Sequence, residues 1–205
     1  MEVKIYISIY QEPLTLIQDT ISRLLFIGYD NIQARLDGVF RIDVVNYLSK
    51  NGVDVYVTKN LKQIVGKGAN TNWYLTNFVK DSSVDYLIKI DPDTLPIRKL
   101  NYLPQVNMLG TNISTKRITI FGGCIVFSKF VATKIVQSEL LLEDKFLDYT
   151  YYSKKLQKNV ASQDMIIYEI CNCLNIKYDA MINEICCIKK NFTTDKRFAF
   201  CHFND

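Results

Sequence analysis

Asp91 and Asp93 flank Pro92 in the stretch Asp85-Tyr-Leu-Ile-Lys-Ile-Asp91-Pro-Asp93-Thr94. Two carboxylates this close repel each other unless a cation lies between them, and an oxygen-rich site of that kind suits Mg2+ or Mn2+. A divalent ion held there would in turn hold a phosphorylated ligand. The competing reading is a plain Asp-Pro turn with solvated carboxylates, because both residues are common turn formers. The motif alone leaves both open.

The elements that must position these aspartates are legible on either side. Tyr86, Leu87, Ile88 and Ile90 form a dense β-branched and aromatic run broken only by Lys89, the pattern of a buried strand. Pro92 has no N–H for a sheet ladder, so the strand ends at the aspartates. Upstream, Val3–Ile9 alternates as a first strand, and Leu14, Ile17, Ile21, Leu24 and Leu25 repeat at helical spacing up to Gly28. Asn31–Leu36 reads as a second strand ending at Asp37-Gly38, Arg41–Lys50 as a second helix, and Val53–Thr58 as a third strand. The loop Val65-Gly-Lys67-Gly68-Ala-Asn70 leads into a helix that runs to about Val79. The order β-α-β-α-β-α-β predicts an α/β fold with a mixed, mainly parallel, doubly wound sheet flanked by helices. Parallel strands put all four strand ends on one rim, where ligands bind in open α/β sheets. Tyr10, Asp37, Gly66–Asn70 and Asp91/Asp93 are expected to gather there.

Beyond Thr94 the pattern changes. Leu95–Asn107 reads as loop, and Arg117–Phe121 as a strand that Gly122-Gly123 interrupts before Cys124–Phe127 resumes. A glycine pair inside a strand marks a bulge or a close approach of ligand to backbone, or else a simple bend. Ser128 suits the cap of a helix to about Ser138. Leu140–Lys158 carries no clear pattern. Ser162 suits the cap of a helix over Gln163–Leu174, with Asp164 in its first turn, where the helix dipole favours a carboxylate. Ile176–Tyr178 and Ile185–Ile188 read as late strands, and an apolar tail surrounds His202, the only histidine.

Composition narrows the function classes. The chain has 205 residues, enough for one globular domain, and a net charge of +4 with no Lys/Arg cluster, which argues against a nucleic-acid partner. No apolar stretch approaches the roughly 20 residues of a membrane helix. Met1–Tyr10 lacks the build of a signal peptide, so a cytoplasmic location is expected. The six cysteines include no CxxC pair, which favours buried thiols over a zinc site.

Taken together, the βα order, Asp91-x-Asp93, Gly122-Gly123, an acidic helix start and a late histidine resemble a GT-A glycosyltransferase over nearly the whole chain, from Lys4 to His202. The sequence is also similar to the glycosyltransferase domains that large algal DNA viruses use on capsid-protein glycans. A viral origin would place it in the host cytoplasm. The resemblance implies one domain over 1–205, with a nucleotide-binding half (1–94) and an acceptor and sugar half (95–205), a unit that can also form part of a longer chain. It implies Mn2+ or Mg2+ on Asp91, Asp93 and His202, and a UDP- or GDP-sugar donor against Tyr10, Asp37, Lys67, Gly68, Asn70, Asp91, Gly122 and Gly123. Asn72 is a further candidate there. Asp164 would be the general base that activates a hydroxyl of a glycan or glycoprotein acceptor, which inverts the anomeric centre. Glu143-Asp144 is the rival acidic pair.

For each of these positions a bland reading stands beside the functional one: a core or surface His202, an Asp-Gly turn at Asp37, a solvated Lys67, an Asp164 that only completes a cap. Trp73, the only tryptophan, reads as packing. Two alternatives to a transferase remain. A phosphatase of the haloacid dehalogenase type also uses Asp-x-Asp, but it wants Thr or Val where this chain has Leu95, and its motif follows the first strand. A non-catalytic nucleotide-sugar-binding module would keep the fold without turnover.

Overall fold

The computed structural model describes residues 1–38, 40–58, 67–114, 119–147, 150–153, 157–161, 163–189 and 198–204. Among them run β1 (Val3–Ile9), α1 (Leu14–Phe26), β2 (Ile32–Leu36), α2 (Ile42–Lys50), β3 (Asp54–Val57), α3 (Lys67–Lys80) and β4 (Tyr86–Ile90). There follow β5 (Thr94–Pro96), β6 (Met108–Ser114), β7 (Thr119–Ser128), α4 (Lys129–Gln137), a 3₁₀ turn (Leu140–Leu142) and α5 (Asp144–Leu147). The chain closes with β8 (Thr150–Ser153), β9 (Lys158–Ala161), α6 (Gln163–Cys173), β10 (Lys177–Ala180), β11 (Ile185–Lys189) and β12 (Phe200–Asn204).

Seven strands form the central sheet in the order β10-β6-β7-β4-β1-β2-β3. The pairs β1–β2, β1–β4, β2–β3 and β6–β10 are parallel, and β7 runs antiparallel to both β4 and β6. The expected mixed, mainly parallel sheet is therefore present, with β1 and β4 adjacent at its centre. A three-stranded sheet, β11-β12-β5, and the hairpin β8-β9 complete the strands.

Side-chain alternation divides the core between the two faces of the sheet. Ile5, Ile7 and Ile9 of β1 and Ile88 and Ile90 of β4 face Ile17, Ile21 and Leu24 of α1 and Val44 and Leu48 of α2. Phe200, from the small sheet, and Ala199, just before it, close the same layer. On the other face, Tyr6, Leu87, Ile125 and Phe127 pack against Tyr74, Leu75 and Phe78 of α3, Val131 and Ile135 of α4, and Ile166 and Ile170 of α6.

Local signals worked where their physics is strong. Gly28, at φ +89°, ends α1 in the left-handed conformation; its N–H reaches the Leu25 carbonyl at 3.0 Å, and the Tyr29 N–H reaches that of Leu24 at 2.9 Å. Ser128 caps α4, its hydroxyl accepting from the Val131 N–H at 3.1 Å. The Ser162 cap lies outside the described residues.

Three expectations change. The loop expected over Leu95–Asn107 begins instead as the short strand β5, whose hydrogen bonds come from β12. Met108–Ser114, read as nothing in particular, is the strand β6. The interrupted segment is one strand, β7, and its glycine pair sits where the β6–β7 register breaks between Thr111 and Ile113. This is the bulge reading of Gly122-Gly123.

Candidate active site at the carboxyl rim of the sheet

β4 is buried at all five positions, Lys89 included at 2% exposure. The turn that follows is tied down at several points. The Thr94 N–H bonds to the Asp91 carbonyl at 2.9 Å, the Asp91 N–H to the Gly123 carbonyl at 3.1 Å, and the Thr20 hydroxyl to the Pro92 carbonyl at 2.7 Å. The backbone between the two aspartates is thus held from α1 and β7.

β5 leaves this turn and pairs antiparallel with β12, with His202 directly opposite Thr94. That pairing carries a residue from the far end of the chain to the aspartates. Ligand atoms of Asp91, Asp93 and His202 all lie within 4.8 Å of one another, and the His202 Nδ1 is 3.3 Å from the Asp93 Oδ1. Among the described residues no other group of three acidic, cysteine or histidine side chains could hold a metal ion. Two carboxylates and an imidazole make a donor set that fits a divalent ion such as Mn2+ or Mg2+. The electrostatics agree: burial raises the Asp93 carboxyl above its ordinary value, His202 opposes the shift and the Asp91 charge adds to it. A cation would relieve that strain. The ammonium of Lys89 pairs with Asp91 from inside the sheet.

A second polar cluster lies along the same rim, at the ends of β1 and β2. The Asp37 carboxylate accepts from the Ser8 hydroxyl at 3.1 Å and the Thr58 hydroxyl at 3.0 Å, and its Oδ1 stands 2.9 Å from the Arg35 Nε. That Nε is buried and makes no aligned hydrogen bond, so the contact is one of charge. Asn70, in the first turn of α3, accepts from the Tyr6 hydroxyl at 2.8 Å and from Arg35 at 3.1 Å, and donates to Ser8 at 3.3 Å. The Arg35 guanidinium lies 4.9 Å over the Trp73 ring, which meets Tyr56 edge-on at 5.1 Å. Trp73 packs, as expected, but it packs on the site.

Asp164 lies in the first turn of α6. The neighbouring Gln163 is buried and its amide donates to the Thr71 hydroxyl of α3 at 2.8 Å, fixing the start of one helix against the other. Burial pushes the Tyr74 phenol well up, and the charges of Asp91 and Asp164 add to the shift.

The remaining candidates are distributed as follows. Tyr10 lies just beyond β1, 37% exposed, and its N–H bonds to the Glu12 carboxylate at 2.6 Å. Lys67 opens α3, but its side chain lies outside the described residues. Gly68 is buried: a Cβ there would stand 2.0 Å from the Phe146 carbonyl oxygen, so its smallness serves the contact between α3 and α5. Gly123 is also buried, and a Cβ there would stand 2.6 Å from the His202 Cγ. Gly122 precedes it in β7. In the rival pair, the Glu143 carboxylate forms an ion pair with Lys145 at 2.7 Å, and both Glu143 and Asp144 are exposed.

The sequence reading passed over Arg35, Ser8, Thr58, Lys89 and Thr94. A signal for two of them existed. Arg35 precedes Asp37 by two positions and Lys89 precedes Asp91 by two, so in both strands a cation stands one pleat before the terminal aspartate, on the same face.

No family model matches the chain, and no curated protein matches it by sequence. Solved structures do resemble it. The galactosyltransferase LgtC, in complex with donor and acceptor sugar analogues, aligns with a TM-score of 0.58 and 12% identity over 98% of this chain and 86% of that one. A cytidylyltransferase from Leptospira borgpetersenii aligns with a TM-score of 0.52 and 16% identity over 87% of this chain and 74% of that one. At such identities the likeness speaks for the fold alone, and the fold is of the GT-A kind: a seven-stranded, mostly parallel sheet between helices, with Asp91, Asp93 and His202 meeting at its rim.

Proposed function

We propose that this protein is a metal-dependent glycosyltransferase that moves a sugar from a nucleoside diphosphate sugar to an acceptor hydroxyl. The observation that carries the reading is the convergence of Asp91 and Asp93, in the turn between β4 and β5, with His202, within β12, at the carboxyl rim. The fold shared with a galactosyltransferase supports it.

In this reading Asp91, Asp93 and His202 hold Mn2+ or Mg2+, which when bound supplies Lewis acidity toward the charge that develops on the departing diphosphate. Lys89 holds Asp91 in place and offsets one of the two negative charges. Asp37, with Ser8, Thr58, Arg35 and Asn70 around it, receives the ribose and base of a UDP or GDP donor. The phosphates are assigned to Lys67 and the N-terminus of α3, and the sugar to Gly122 and Gly123. Asp164 takes the proton from the acceptor hydroxyl as that oxygen attacks the anomeric carbon, a single displacement that inverts configuration. The acceptor is a glycan or glycoprotein hydroxyl, as in the viral enzymes. The whole of 1–205 acts as one domain, residues 1–94 binding the nucleotide and 95–205 the sugar and acceptor.

The cytidylyltransferase neighbour favours a second reading, nucleotidyl transfer. A screen of UDP- and GDP-sugars, and of nucleoside triphosphates with a sugar phosphate, each with Mn2+ or Mg2+, separates the two by product. Free nucleoside diphosphate supports glycosyl transfer, pyrophosphate from a nucleoside triphosphate supports the second reading, and binding without turnover points to a binding module. The phosphatase alternative stays disfavoured on sequence grounds: Leu95 stands where Thr or Val is wanted, and Asp91 follows the fourth strand and not the first.

A further inference from the structure

Glu184, in the turn just before β11, is only 2% exposed, and four donors converge on its carboxylate. The Arg98 guanidinium reaches Oε2 at 2.9 Å and Oε1 at 3.3 Å. The Asn101 backbone N–H reaches Oε2 at 3.0 Å, and the Asn101 side-chain amide reaches Oε1 at 3.1 Å. Each oxygen thus accepts twice, which fills an ionised carboxylate.

Arg98 and Asn101 follow β5, and Glu184 precedes β11. These are the outer strands of the small sheet, with β12 between them. The Glu184 side chain therefore bridges the outer strands past the beginning of the middle one. The backbone closes the same junction. The Glu184 carbonyl accepts from the Ala199 N–H at 2.8 Å and the Phe200 N–H at 3.0 Å, and the Ala199 carbonyl accepts from the Ile97 N–H at 2.8 Å. The Asn112 amide of β6 donates to the Ile185 carbonyl at 2.8 Å, which ties the junction to the central sheet. His202 lies two residues farther along β12 than Phe200, about 7 Å at strand spacing. Because β5 grows directly out of the aspartate turn, whatever seats β12 between β5 and β11 also seats the imidazole against Asp91 and Asp93.

We infer that Glu184 is a positioning residue: its buried carboxylate clamps Arg98 and Asn101, and the clamp fixes the place at which β12 delivers His202 to the aspartates. The clamp stands on hydrogen bonds within this chain; its consequence for an ion rests on the metal reading above. A glutamine at 184 keeps the size but trades an accepting oxygen for a donating nitrogen, which would face donors.

In Glu184→Gln, amide hydrogen exchange should quicken in β12 while β1 and β4 keep the parent's protection. The ring signals of His202, the only histidine, should shift. Mn2+ binding, followed by paramagnetic resonance of the free ion, should weaken about tenfold, the lower end of what losing an outer support of a metal ligand costs. Asn101→Ala, which removes one of the four donors, should move all three readouts the same way and less. Unchanged β12 exchange and unchanged ring signals overturn the clamp. Faster β12 exchange with unchanged Mn2+ affinity overturns the positioning role and leaves Glu184 a structural residue, as does a loss of protection spread equally over β1 and β4. If the glutamine variant fails to fold, Asn101→Ala decides by the same criteria. A parent protein that takes up no Mn2+ overturns the metal reading, while the exchange and ring signals still decide the clamp, so the two failures are distinguishable.

Discussion

The imidazole of His202 stands in the space that a side chain at position 123 would fill: a Cβ on Gly123 would come within 2.6 Å of the ring Cγ and 2.7 Å of Nδ1. Gly123 thus leaves the room that the ring of the proposed metal ligand occupies. Gly123→Ala is expected to displace the ring and weaken Mn2+ binding about tenfold or more, the scale seen when the supports of a ligand are lost. The cost in stability should stay near the 1–3 kcal/mol typical of overpacking. A Mn2+ titration beside a thermal melt checks both; a ring that keeps wild-type affinity would mean the contact is incidental.

Asp164 is expected to matter for chemistry and little for binding. Asp164→Ala should bind donor and metal as the parent does and lose about 10²- to 10⁴-fold in kcat, the range for a missing general base. The anomeric configuration of the first-formed product, read by proton NMR, is a second check. Inversion fits a single displacement assisted by Asp164, whereas retention contradicts that role.

Far from the site, Lys4 and Asp81 make a stabilising pair with a predictable pH dependence. The Asp81 carboxyl is held down to about 2, against 3.8 in its ordinary state, chiefly by hydrogen bonds from Lys4 and Ser83. A depressed carboxyl stabilises the fold above the unfolded value and loses that contribution as the pH falls toward the folded one. Asp81→Asn should therefore cost about 1 kcal/mol at neutral pH, allowing for solvent screening. The deficit should shrink below about pH 4 and vanish only below about pH 2. Urea unfolding across that range measures it.

Much of this was written locally in the chain. β1 to β4 announce themselves through alternation and apolar runs, and Pro92 stops β4 at the aspartates, so the parallel half and its rim could be read directly. What could not be read depends on partners distant in sequence. β5 has three residues and no propensity of its own, and only pairing with β12 makes it a strand. Gly110 and Asn112 weaken the strand signal of β6. Gly68 looked like a phosphate-loop glycine and packs against the Phe146 backbone, a contact that no local pattern encodes. Lys89 looked like a break in an apolar run, and its burial makes sense only once Asp91 receives it.

The measurement that bears most directly on the central claim is Mn2+-dependent binding of a nucleoside diphosphate, compared between the parent protein and Asp93→Ala by thermal shift and calorimetry. A ligand that binds only the folded state raises its apparent stability, by about 2.7 kcal/mol at a hundredfold excess over Kd. The parent should show that rise with UDP or GDP only when Mn2+ or Mg2+ is present, and Asp93→Ala should show none. If Asp93→Ala binds Mn2+ and nucleotide as tightly as the parent does, the metal site and the transferase reading built on it are wrong.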